Sequence, residues 1–149
     1  MRRAEVRVSV PVAADPETVW AVATDWPRQG EWMLGTEVSV LGGSGGTGTE
    51  LLAVTGYRGV GAVDRMRVVE FEPPRICRVR HEGGLIVGEG GFEVVRCGNL
   101  ASTFAWWERL ELPTGTGPLW PAVRPALRWG LRRSLRTFAE LCRAEGDRG

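Results

Sequence analysis

Three ionisable side chains stand alone on strand-like faces that are otherwise apolar. In the run after Gly59, Val60, Ala62, Met66 and Val68 fall on the same face as Asp64. In the next run Cys77 and Val79 share a face with His81, and in the last Phe104, Trp106, Leu110 and Leu112 share one with Glu108. If each apolar face points to the core, these three residues point there too. A buried ionisable group is costly unless it is paired, hydrated or met by a ligand, so Asp64, His81 and Glu108 are the candidate site residues. The chemistry open to them is proton transfer, with His81 as base, the carboxylates as partners and Tyr57 as an additional helper. The competing reading is a structural network in which each bonds a neighbouring backbone group or arginine. A bulge in any of these strands would turn its residue to solvent.

The rest of the inventory narrows the chemistry further. His81 is the sole histidine, which removes multi-histidine metal sites, and no metal is expected. Cys77, Cys97 and Cys142 are odd in number, far apart and in no C-x-x-C pair, so they read as buried free thiols. All 19 basic residues are arginine, which excludes a Ser-Lys pair or a Schiff base, and no G-x-S-x-G elbow is present. Gly43 to Gly48 matches G-x-G-x-x-G, but Thr49 to Val54 continues as a strand and not as the helix that would hold a pyrophosphate. That segment reads as a hairpin connection, and no cofactor is expected.

The elements that must position the three residues follow from the same periodicities. Val6, Val8 and Val10 alternate with Glu5, Arg7 and Ser9 as a first strand that Pro11 helps to end. Asp15 followed by Pro16 is an N-cap opening a short helix to about Asp25, and Pro27 and Gly30 leave room for one more short turn carrying Trp26 and Trp32. Turn residues at intervals of about ten then cut the middle into strands near 36 to 42, 48 to 55, 60 to 71, 76 to 82, 85 to 96 and 101 to 112. A Gly/Pro-rich connector from Pro113 through Trp120 leads to a terminal helix with Pro125 in its first turns. Leu127, Leu131, Leu135, Phe138 and Cys142 form its single apolar stripe, and arginines fill the remainder. The reading is an α+β fold: seven antiparallel strands in a bent meander, two short helices after the first strand and a long C-terminal helix. With 149 residues the chain is one domain, 1–149.

At 43% apolar and 25% charged residues the composition is that of a soluble globular protein, and a net charge of +1 offers no case for a nucleic-acid or acidic-membrane partner. The arginine-rich side of the last helix reads as a solvated face. Glu5, Arg7 and Ser9 interrupt any export signal, and no run approaches the ~18 apolar residues of a membrane span, so no stable membrane insertion is expected and the default compartment is the cytoplasm. Seven tryptophans supply flat surfaces that can pack a core or line a pocket.

Pro16 to Val22 leading to Asp25-Trp26-Pro27, Glu31-Trp32-Met33, Asp64 to Val68 with Glu72-Pro73-Pro74, and Thr103 to Glu108 together resemble the SRPBCC (START-like) superfamily, and within it the actinobacterial polyketide cyclase/dehydrase-like and lipid-transport-like branch. The resemblance spans nearly the whole chain. It implies a helix-grip fold with a cavity between the sheet and the C-terminal helix, in which similar proteins bind hydrophobic lipids, sterols, quinones or polyketides. It fixes no active-site residue. On this reading Met66, Val79, Phe104, Trp106, Leu127 and Leu131 are cavity walls, and Asp64, His81 and Glu108 orient the ligand. The alternatives are a polyketide cyclase/dehydratase using those acid/base groups, and a toxin or regulatory partner in a toxin-antitoxin pair. A monomer or homodimer is expected.

Overall fold

The alternating valines of the first strand are seated against the last one. In the computed structural model, which describes residues 2–57, 60–83 and 86–148, β1 (Arg2–Val12) pairs antiparallel with β7 (Ala101–Leu112), Val6 opposite Glu108, Val8 opposite Trp106 and Val10 opposite Phe104. The strand runs through Pro11 instead of ending there. β1 is the edge of the sheet, so the missing proline N–H leaves no ladder partner unsatisfied. Asp15 caps α1 (Pro16–Ala23) by accepting from the Thr18 backbone N–H at 3.2 Å, and a short 3-10 helix, Trp26–Glu31, follows.

β2 (Thr36–Gly42), β3 (Glu50–Tyr57), β4 (Val60–Glu72), β5 (Ile76–Gly83), β6 (Ile86–Gly98) and β7 form a meander, and the sheet order is β1-β7-β6-β5-β4-β3-β2. The glycine segment before β3 is a connection between strands. Gly43, Gly45 and Gly48 have positive φ, and Gly45 accepts from Trp26 Nε1 at 3.0 Å. A strand and not a helix follows it, so the geometry that holds a dinucleotide pyrophosphate is not formed. A register shift between Val68 and Glu70 in β4 brings Phe71 opposite Cys77, on the core side, where it meets Trp20 at 5.2 Å between ring centroids.

After a 3-10 turn at Gly117–Leu119, α2 (Trp120–Arg148) runs to the C-terminal end of the described chain, beginning several residues before the apolar stripe. Leu131, Leu135, Phe138 and Cys142 are buried as the periodicity requires, while Leu127 is only half-buried. Ser134 is buried among them because its hydroxyl accepts the backbone N–H of Leu34 at 2.9 Å, tying the helix to the segment before β2. Cys77 and Cys142 are buried free thiols, but Cys97, near the end of β6, is exposed, with its sulfur 3.1 Å from the Thr103 hydroxyl. Among the described residues no helix is long and apolar enough to cross a membrane.

Candidate functional site

The three isolated polar residues converge. His81 on β5 lies opposite Met66 on β4, so Asp64, two residues before Met66 on the same face, is its diagonal neighbour, and His81 Nδ1 stands 2.7 Å from Asp64 Oδ2. Glu108 is on β7, a full strand further away, yet its Oε2 is 2.9 Å from His81 Nε2. What lets it cross is the intervening strand. β6 places Gly88 opposite His81 and Gly90 opposite Glu108, so its inner face carries no side chain between them. A β-carbon built on Gly90 would overlap the Glu108 carboxylate. The chain ends at Trp106, whose indole Nε1–H donates to Glu108 Oε1 at 3.2 Å. Tyr57, a further candidate, has its side chain outside the described residues.

The cluster is largely buried. Asp64 and His81 are 8% and 7% exposed, and Glu108 is half-buried. Burial opposes the charged imidazole, but the hydrogen bonds and negative charges of Asp64 and Glu108 outweigh it and push the His81 pKa up to about 10. The two carboxylates thus favour the charged form of His81, in which both ring N–H groups donate, one to Asp64 and one to Glu108. In that form the ring has no lone pair to offer as a base. Asp64 Oδ1 is the atom left over, buried and without a hydrogen-bond partner among the described residues. It can accept a proton or a hydrogen bond.

The expected walls divide into two groups. Phe104 is fully buried, 4.2 Å from Phe138 and 5.3 Å from Phe92 between ring centroids, and Leu131 is buried beside them in the core. With Trp32, 4.7 Å from Phe138, these rings fill the space between sheet and helix at that level. Met66, Val79 and Trp106 are half-buried, partly covered apolar surface on the side of the cluster, and Leu127 on α2 is half-buried as well. Met66 also lines a recess of about 220 Å3 bounded by Glu50, Leu51, Arg65, Arg67 and Glu82.

Two residues outside the expected set matter. Trp32 is 3% exposed and its Nε1–H has no partner among the described residues, although its ring meets Trp106 at 5.8 Å. Gly90 makes the His81–Glu108 contact sterically possible, and alternation of glycine at 88 and 90 within an otherwise strand-like run is the signal that could have found it. Gly90→Ala should push the flexible Glu108 carboxylate away from His81 while leaving the strand in place. The His81 pKa, followed by NMR titration of the ring, is expected to fall below about 10 in this variant; an unchanged titration would show that Glu108 needs no such gap.

The whole fold has known counterparts. It matches a Thermus thermophilus protein with a TM-score of 0.77 at 20% identity, covering 95% of this chain and 98% of that one. It also matches the Zhui aromatase/cyclase of a Streptomyces species (TM-score 0.74, 16% identity, 99% and 95% coverage) and a START superfamily protein of Mycobacterium smegmatis (0.71, 15%, 97% and 97%). No curated protein matches the sequence. The bent seven-stranded sheet closed by a long C-terminal helix is thus the helix-grip fold. The family model described as "Polyketide cyclase / dehydrase and lipid transport" matches residues 3–143, and the chain belongs to that family.

Proposed function

We propose that this protein binds an apolar, ring-bearing small molecule over the concave face of the sheet, with Asp64 orienting it. The observation that carries the reading is a buried Asp64–His81–Glu108 chain with one carboxylate oxygen unpaired among the described residues, next to half-covered Met66, Val79 and Trp106. A buried polar atom without a partner costs about 1–3 kcal/mol, which a ligand hydroxyl can recover. With His81 protonated the cluster carries two negative charges against one positive. It therefore suits a hydrogen-bond donor, a phenol or quinol, better than the carboxylate of a fatty acid.

Tryptophan emission titrated with a flavonoid, a quinol and a fatty acid tests this, since Trp106 belongs to both the wall and the hydrogen-bond chain. Saturable quenching by the hydroxylated ring compounds is expected, with weaker response to the fatty acid. Asp64→Asn should weaken the quinol about tenfold and leave an O-methylated analogue unaffected. No saturable response from any class would refute the reading.

A cyclase/dehydratase is the second reading, and the same unpaired Asp64 oxygen favours it. In that case Asp64, not His81, takes the proton α to a carbonyl, and the imidazolium stabilises the carboxylate behind it.

A further inference from the structure

The net charge of +1 averages over an uneven distribution. No acidic residue stands between Glu111 and Glu140, while Arg124, Arg128, Arg132, Arg133 and Arg136 all fall in that interval. Several arginines elsewhere are neutralised: Arg67 pairs with Glu50 and Glu82, and Arg78 with Glu70 and Glu89. Among the described residues none of the five on α2 forms an ion pair with a carboxylate. Four of them recur at every fourth position, which puts them in one row, about 6 Å apart along the helix. The row borders an open recess of about 640 Å3 whose other lining is Pro121, Pro125, Trp129 and Arg133.

The N-terminal end of the same helix is apolar and uncovered. Every residue from Pro121 to Ala126 is exposed, so the first turns stand clear of the sheet on all sides. Leu119, Val123 and Trp129 are 62%, 50% and 61% exposed, and Arg133 lies over the Trp129 ring at 5.7 Å.

We propose that this end of α2 docks peripherally on an anionic phospholipid surface, the apolar tip entering the headgroup region and the arginine row meeting the phosphates. An acidic protein partner would share the charge complementarity. It would not explain apolar side chains spread around a projecting tip instead of gathered in one groove, an arrangement a fluid lipid phase accepts from every side. The docking does not depend on what the interior binds.

Flotation of the full chain with vesicles of phosphatidylcholine alone, or with one third phosphatidylglycerol, at low and at physiological salt tests it without any ligand. Association with the anionic vesicles alone, weakening with salt, is the expected result. Arg132→Gln with Arg136→Gln, both exposed and unpaired, should reduce it about 25-fold, roughly fivefold for each arginine, with no change in melting temperature. Trp129→Phe should reduce quenching by brominated lipid, and Trp120→Phe added to it should remove most of the remainder. Absence of association with anionic vesicles at low salt, equal association with neutral ones, or full binding by the double variant would overturn the proposal. An acidic protein binding this face in place of lipid would overturn it as well.

Discussion

Replacing His81 by leucine should destabilise the protein by about 3–5 kcal/mol, the usual cost of leaving a buried charge without its partner. Leucine fills a similar volume, so the loss is electrostatic: Asp64 on β4 and Glu108 on β7 lose the cation between them and are left as two stranded negative charges. A second variant separates this from ordinary packing damage. Adding Asp64→Asn and Glu108→Gln to His81→Leu removes both stranded charges, and most of the loss should return, because replacing a whole buried ion cluster by neutral groups is often close to neutral. Denaturant midpoints at constant slope are the measurement. If the single variant is as stable as the parent, or the triple variant is worse than the single, the three groups do not act as one charged unit.

That unit was only half visible in the amino-acid sequence. Period-two alternation places Asp64, His81 and Glu108 each on an inward face, and the structure keeps all three on the core side. Their meeting depends on register between strands 17 and 27 residues apart, and on two glycines whose contribution is the absence of a side chain. Nothing in a single strand's pattern reports on its neighbour's empty positions. β1 runs past Pro11 for a related reason: proline ends an inner strand, and only the sheet order reveals that this one is an edge. Seven tryptophans could line a pocket or plug it, and composition alone leaves that open. Phe104, Phe138, Phe92 and Trp32 pack ring to ring, while Trp106 turns its indole nitrogen to Glu108. The division follows from which rings lie beneath the buried part of α2, a property of the closed fold.

Stability should decline as pH rises from 6.5 to 9, by about 3 kcal/mol in total and with a slope of at most about 1.4 kcal/mol per unit. The sign follows from His81. Its folded pKa, about 10, is above the ordinary 6.5, so the folded state binds the proton more tightly than the unfolded chain does. That stabilisation is complete below 6.5, diminishes as the unfolded chain deprotonates, and is lost as pH passes 10. Carboxylate partners facing it from β4 and β7 are the source of the shift, with burial acting against them. The upper limit of the window is set by Cys77 and Cys142, which burial pushes up to about 12 from 9.0. Above pH 9 the unfolded thiols ionise first and add a slope of the same sign, so the imidazole is read cleanly only below that. Urea titrations at half-unit steps should show the decline in the parent and its absence in His81→Leu. A flat profile in both would mean that His81 is neutral when folded, and with it would go the charged cluster on which the preference for a hydroxylated ligand rests.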